Sequence, residues 1–572
     1  MQNFKVAAYL PEFIIHVLDH QVPMHVFEQG FKQLIQTLKI DHVYIETHRS
    51  GHFIEKEKLE RLTHFFHTFG IQVSGGITFT DGNFEDFFEG ELFDTFCYSK
   101  PDAEEKIRKI VSYSAVLFDE LVIDDFFFTH CKCPDCIRAK GEKSWEAYRL
   151  EVMKKVGTAW VMDEAKKTNP KIKVILKFPN WYEHYQASGY NIELGQLFDG
   201  TYAGTETRDA IHTQQNLPRY TSYFVMRYIE AAATNKLQGG WFDGYDGLSH
   251  LNSFVEQATL TLLGGAKEVC FYNLGDLLID FKVAAPLLQY VYDRLDCFVP
   301  LFDSPLGIPT YKPYHSSGDD FLENYLGMLG VPFTPVTTYP EKAETVFLSS
   351  HADKDETLLT KMQKALANGQ TIFVTRQLAD DLIPKGFNDL MLYEPTHDKA
   401  LVSHFGAEWE YCSYHHYAES SQKILLSRLG FKTNDSQNLI SGLQGENNYP
   451  LLLKSKYSNG KLYLLNLPDN FGELYALPKL VLDTLRRHLL EDFPFYVQGN
   501  GKYMFFPYAE DHFVLYSQSD HVEDYTLISK EPFKGLLDLE TQQIIETDAN
   551  AQMTQCVIHL LASTFKLFKL IR

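Results

Sequence analysis

Two adjacent carboxylates, Asp124-Asp125, close the apolar run Glu120-Leu121-Val122-Ile123, and a C-x-C-x2-C cluster of Cys131, Cys133 and Cys136 follows within a few residues. The run reads as a buried parallel strand that delivers its acids at the C-terminal end, where barrel and open α/β enzymes do their chemistry. Carboxyls there suit proton transfer or nucleophilic attack. The thiols suit a metal: Cys131 and Cys133 are too close for a disulfide, and Cys133-x2-Cys136 has the chelating pitch. Three thiols leave a tetrahedral ion one ligand short.

Strands must position these groups, and the first half of the chain supplies them in a regular alternation. Short β-rich runs fall at 5–9, 42–45, 71–74, 121–123, 173–177, 200–203, 240–242 and 268–272. Between them, segments such as 26–38, 56–69, 145–167, 220–234 and 251–263 are apolar at helical spacing. Eight β-α units in about 280 residues predict a (β/α)8 TIM barrel over 1–300. A doubly wound sheet is disfavoured, because Tyr9-Leu10-Pro11-Glu12 is no Gly-rich phosphate loop.

With that numbering, strand two ends in Glu46-Thr47-His48-Arg49, strand four in Asp124-Asp125, strand six runs into Glu206 and Arg208, and strand seven ends in Asp243-Gly244-Tyr245-Asp246. Several acids at one mouth suit glycoside hydrolysis, in which one carboxyl protonates the leaving oxygen and a second attacks or activates water. The catalytic candidates are Asp125, Glu206, Asp243 and Asp124. The substrate-binding candidates are Glu46, Arg49, Lys177, Arg208 and Asp246, with Trp181, Tyr182 and Trp241 as rings to stack on sugar faces. Each has a plainer reading: Asp124-Asp125 as a turn cap, Glu206 and Arg208 as a structural ion pair, Asp243 and Asp246 as turn residues beside Gly244 and Gly247, Trp181 and Tyr182 as rim packing.

Composition narrows the partners. Lys+Arg 53 against Asp+Glu 75 gives a net charge of -22, which argues against nucleic acid and anionic membrane surfaces. No long apolar window and no signal-like amino terminus are present, so a soluble cytoplasmic protein is expected. Cys270, Cys297, Cys412 and Cys556 are isolated, as in a reducing compartment. After Pro300-Leu301-Phe302-Asp303 a second α/β rhythm runs from 301 to 492, with helices at 319–329 and 356–367 and strands at 346–348 and 371–374. Residues 493–572 carry short alternating runs and predict a small β-sandwich.

The cysteine run resembles that of family 42 glycoside hydrolases, the clan A β-galactosidases, and Phe254 to Asn273 is similar to the last helix and strand of their barrel. The resemblance implies a structural zinc held by Cys97, Cys131, Cys133 and Cys136, with four thiolates leaving no open position for water. It implies further that the middle domain is amidotransferase-like and serves trimerisation, giving a homotrimer that acts on a carbohydrate. The family carries Asn-Glu at the end of strand four and a glutamate at the end of strand seven; here Asp124-Asp125 and Asp243 occupy those places. The expected activity is therefore a glycosidase with Asp125 as acid/base and Asp243 or Glu206 as nucleophile or base. The alternatives are a non-hydrolytic sugar lyase or isomerase, or an inactive sugar-binding relative.

Overall fold

The computed structural model describes residues 3–82, 94–208, 217–244, 251–279, 281–410, 413–547 and 553–572. The chain divides into two compact units, Met1–Asp303 and Ser304–Arg572.

In the first unit eight parallel strands close on themselves: β1 (Lys5–Leu10), β2 (His42–Arg49), β3 (Gln72–Ile77), β4 (Glu120–Ile123), β5 (Lys173–Phe178), β6 (Gly200–Gly204), β7 (Leu237–Asp243) and β8 (Glu268–Tyr272). Each pairs with the next, and β8 returns to β1 with Ala7 opposite Cys270. All eight expected strands are present. Their inward side chains fill the interior: Tyr9, Tyr44, Val122, Ile175, Tyr202, Trp241 and Cys270 form one buried cluster. Gly76 on β3 makes room for this filling, since a Cβ there would stand 2.6 Å from the Tyr9 ring.

Helices clothe the barrel with their apolar faces inward: α1 (Met24–Leu34), α2 (Lys56–His67), α3 (Ala103–Leu117), α4 (Trp145–Lys155), α5 (Asp163–Thr168), α6 (Thr221–Ala232), α7 (Leu251–Leu263) and α8 (Ala284–Leu295). The single helix expected over 145–167 is α4 and α5 joined by a π-helical stretch, Val156–Met162. There Gly157 lies against Leu194 and Phe198, a contact that a Cβ would crowd at 2.9 Å.

The second unit holds a nine-stranded mixed sheet. Its parallel half comprises β9 (Ile308–Tyr311), β10 (Phe333–Val336), β11 (Thr345–Leu348), β12 (Thr371–Thr375) and β17 (Gly460–Leu465). The other half is antiparallel: β13 (Tyr393–Glu410), β14 (Ser413–Phe431), β15 (Ser436–Gln444) and β16 (Asn447–Tyr457), in the order β17-β16-β15-β13-β14. The long hairpin has no counterpart in the sequence reading, because its polar, half-exposed strands lack the apolar runs that mark buried ones. The helix expected from Asp319 begins at Leu322: the Asp319 carboxylate accepts from Ser350 and Thr375, and Phe321 sits at φ 64°. Beyond Phe495, sheets of three and five strands share a core that includes Val497, Phe505, Leu515, Leu527, Ile558 and Phe568, which makes the C-terminal part a β-sandwich. Among the described residues no helix is long and apolar enough to cross a membrane.

Candidate active site

The C-terminal ends of the barrel strands bring the acids into one charge network. Glu46, from β2, is fully buried. Its oxygens accept from the Tyr9 hydroxyl at 2.8 Å, the Glu12 N–H at 2.5 Å, Arg49 Nε at 3.0 and 3.1 Å, and the Thr78 hydroxyl. A carboxylate has about four lone-pair sites, so Glu46 is saturated within the protein. Its geometry serves to hold Arg49, whose Nη2 donates to Asp124 Oδ2 at 3.1 Å. Thr78, one residue past β3, also reaches Asp124, at 3.3 Å.

Lys177, from β5, is the centre of the site. Its buried ammonium lies 3.4 Å from Asp124 Oδ1, 2.8 Å from Asp125 Oδ2 and 2.8 Å from Glu206 Oε1. It also stands 4.5 Å above the Trp241 ring, whose negative face favours a cation. Three carboxylates outweigh the burial that would discharge it, so the Lys177 pKa rises well above the ordinary value. Sharing one ammonium confines Asp125 Oδ2 and Glu206 Oε1 to at most about 5.6 Å apart.

The acids differ in electrostatic state. Burial disfavours ionised Asp124, but Lys177 and Arg49 outweigh it and hold its carboxyl below the ordinary range. Burial pushes Asp125 up to about 7, with Asp124 and Glu206 adding to the rise and Lys177 opposing it. Glu206 is also raised, by burial first and then by Asp243, against Lys177 and Arg208. Asp243, closing β7, is gripped through both oxygens by Arg208, with Nε at 2.9 and 3.1 Å. Asp125, at 18% side-chain exposure, is the most open of the carboxylates at Lys177. Arg49 and Arg208 are open to a similar degree.

The candidate aromatics separate. Trp181 is partly exposed and packs edge-on against Phe128 and Tyr190, at 6.2 and 6.3 Å between centroids. Trp241 lies in the barrel interior between Tyr9 and Tyr272 and forms the floor below Lys177. Tyr182 is buried against Phe224 and Tyr228 of α6, which sets its ring among helix side chains instead of at the rim. Asp246 lies outside the described residues. Sequence reasoning missed Tyr9, Thr78 and Tyr272. Their place at or just past strand ends was the available signal, which uncharged side chains did not bring forward.

Cys97, Cys131, Cys133 and Cys136 have their sulfurs within 4.8 Å of one another, with Cys97 3.6 Å from Cys133 and 3.5 Å from Cys136. These separations are far too long for a disulfide and close to the roughly 3.8 Å edge of a tetrahedron with about 2.3 Å metal–sulfur bonds. Backbone N–H groups of Cys136 and Asp135 help to lower the Cys133 thiol to about 7, which favours the ligating thiolate. The cluster can therefore bind a metal ion. It is tied to the mouth by the chain itself: Arg149 donates to the His130 carbonyl at 3.0 Å, and Thr129 N–H donates to the Ser188 carbonyl at 3.0 Å.

Residues 1–289 match the family model described as "Probable glycosyl hydrolase, catalytic domain". The chain belongs to this glycosyl hydrolase family. Residues 304–470 match a second model, the second domain of uncharacterized protein SSO3021. The SSO3021 protein of Saccharolobus solfataricus is itself 21% identical over 544 residues, covering 86% of this chain and 87% of its own. Among solved structures, α-L-fucosidase isoenzyme 2 from Paenibacillus thiaminolyticus is similar with a TM-score of 0.68 at 12% identity, covering 100% of both chains. A β-galactosidase from Bacillus circulans sp. alkalophilus is similar at 0.64 and 10%, covering 100% of this chain and 99% of its own. The enzyme from Halorubrum lacusprofundi follows at 0.60 and 10%, with 99% of each chain covered. These likenesses establish a fold shared with an α-L-fucosidase and two β-galactosidases; a family 42 β-galactosidase, Gan42B, shares it as well, with a TM-score of 0.62 at 10% identity, covering 100% of this chain and 98% of its own.

Proposed function

We propose that the chain is a retaining glycoside hydrolase in which Asp125 is the general acid/base and Glu206 the nucleophile. The observation that carries this reading is the Lys177 ammonium clasping both carboxyls. It keeps Asp125 Oδ2 and Glu206 Oε1 within about 5.6 Å, which favours the roughly 5–5.5 Å carboxyl separation of retaining enzymes over the roughly 6.5–9.5 Å of inverting ones. A carboxyl at about 7 is half protonated at neutral pH, as a group must be that first donates a proton to the glycosidic oxygen and later removes one from water. Asp124 stays ionised and raises Asp125; Arg49 and Arg208 present N–H donors to sugar hydroxyls, and Trp181 offers a ring at the rim.

A specific observation favours a second assignment. Arg208 fixes the Asp243 carboxyl at the end of β7, so Asp243 is the alternative nucleophile; its two oxygens are already engaged by the guanidinium, which weighs against it. The cysteine cluster is read as a Zn2+ site. Four thiolates would saturate a tetrahedral ion, so the metal would fasten the segment carrying Asp125 and take no part in bond breaking.

The test is a panel of aryl glycosides headed by β-D-galactosides and α-L-fucosides, the sugars named for the similar structures. Asp125→Asn should lower kcat/KM by about 10²–10⁴ and be spared on substrates with good leaving groups. Glu206→Gln should abolish turnover, with azide restoring it as the inverted glycosyl azide. Rescue in Asp243→Asn alone would transfer the nucleophile to Asp243. NMR showing inversion of the first-formed sugar would refute retention, and full activity of Asp125→Asn would remove it from the mechanism.

A further inference from the structure

Tyr190, in the segment after β5, carries a hydroxyl that the fold does not use. The side chain is 2% exposed, and its oxygen has no hydrogen-bond partner among the described residues. A buried hydroxyl in that state costs stability, and beside an active site it is the mark of a group that bonds during turnover. The ring is fixed by its neighbours, with centroids 5.2 Å from Phe128, 5.5 Å from Tyr185 and 6.3 Å from Trp181. The backbone before it is pinned as well. Gly189 turns the chain at φ 82°, where a Cβ would stand 3.0 Å from the Arg149 carbonyl oxygen. Arg149 of α4 donates to the carbonyls of Ala187 and His130, at 2.5 and 3.0 Å, and Thr129 N–H donates to the Ser188 carbonyl. These bonds clamp Tyr190 to the segment that begins at Asp125.

Asp125 has the matching acceptor. Its Oδ2 takes the Lys177 ammonium, its N–H donates to Asp124 Oδ1 at 2.9 Å, and its Oδ1 accepts no hydrogen bond among the described residues. Burial raises the Tyr190 phenol well above its ordinary value; Asp125 is the next cause, ahead of Tyr185, Asp124 and Tyr98. The hydroxyl therefore keeps its proton, and remains a donor, throughout the range in which Asp125 titrates. The other charges acting on Asp125 are Lys177, Asp124 and Glu206. We propose that Tyr190 is a positioning residue for Asp125, its hydroxyl donating to Oδ1 whenever that carboxyl is ionised. This rests on the acid/base reading of Asp125. In the first step Glu206 bonds the anomeric carbon, the glycosidic C–O bond breaks, and the Asp125 proton goes to the departing oxygen. In the second, water displaces Glu206 and gives a proton back to Asp125. Between the two steps Asp125 is a carboxylate, and the Tyr190 bond holds it facing the water.

Tyr190→Phe removes only the oxygen and tests this on an aryl glycoside with a good leaving group, for which the second step limits kcat. Losing a hydrogen bond to a charged group should lower kcat by about tenfold or more. The plateau of kcat/KM, which reports the first step, should change by less than about twofold. A bond to the charged form favours it, so the alkaline limb of kcat/KM should move upward, by about one pH unit. The melting temperature should not fall, since the oxygen lost has no partner in the folded protein. In an Asp125→Asn background the same change should alter neither constant. An unchanged kcat, a limb that stays or moves down, or equal losses in kcat and kcat/KM with a lowered melt would each overturn the inference, as would an undiminished effect in the Asp125→Asn background. A crippled Asp125→Asn beside an unaffected Tyr190→Phe removes Tyr190 alone; full activity of Asp125→Asn removes the acid/base reading and this inference with it.

Discussion

Replacing Lys177 by Met is the most revealing perturbation, because one ammonium holds three acids. At 2.8 Å and an effective dielectric of about 20, each close contact is worth about 6 kcal/mol before desolvation is subtracted. Removing one partner of a buried ion pair costs about 3–5 kcal/mol in practice. The loss depends on pH. Asp124 has a depressed pKa, so its contribution to stability is present above its unfolded value and is lost as pH falls through the folded one. Asp125 is raised to about 7 and Glu206 is raised too, so each already costs stability as it ionises above its ordinary value, Asp125 fully so only above about 7. Without the cation all three shift towards the protonated form. The melting penalty of Lys177→Met should therefore be largest at pH 8 and shrink towards pH 5. In kcat/KM, the alkaline limb set by Asp125 near 7 should move upward, because the Lys177 cation is what opposes its rise. Thermal melts and pH–rate profiles of both proteins provide the measurement. An equal penalty at both pH values, or an alkaline limb that stays or moves down, would refute the electrostatic account.

Further outcomes follow from other parts of the structure. Elemental analysis should find about one zinc per chain, and chelation or Cys133→Ser should lower the melting temperature; loss of the metal with an unchanged melt would remove its structural role. Gly76→Ala should push the Tyr9 ring off its seat against Glu46, lowering kcat/KM and stability together; a silent substitution would show that Tyr9 does not position the Glu46–Arg49 pair. At the opposite end of the barrel, His42 Nδ1 is 3.0 Å from Glu268 Oε2, and Tyr44 and Tyr202 donate to Oε1. Burial opposes ionisation there, but these partners prevail and depress the Glu268 pKa. His42→Ala should cost about 1–3 kcal/mol at neutral pH, with the deficit shrinking as pH falls through the folded Glu268 value and kcat unaltered; a changed kcat measured on the folded variant would contradict this separation of the two ends.

The eight barrel strands were legible because each is buried on both faces and therefore reads as an apolar run. Asp124-Asp125 was legible as the end of one such run, and C-x-C-x2-C as a ligand pitch. The β13–β14 hairpin was not, since polar half-exposed strands carry no such run. Nor could spacing distinguish Trp181 from Tyr182: neighbours in sequence, one packs at the rim and the other behind α6 side chains.

By itself the sequence determined which side chains are available and, through the strand periodicity, that their carboxylates emerge at one end of a barrel. Only the tertiary structure decided their states. Glu46 is saturated by donors from β1, β2 and the segment after β3, whereas Asp125 and Glu206 share a lysine from β5. Apart from the local Arg49–Glu46 pair, each of these contacts joins residues far apart in the chain. A carboxyl's affinity for its proton depends on the charges and water within a few ångströms, which sequence order alone does not specify.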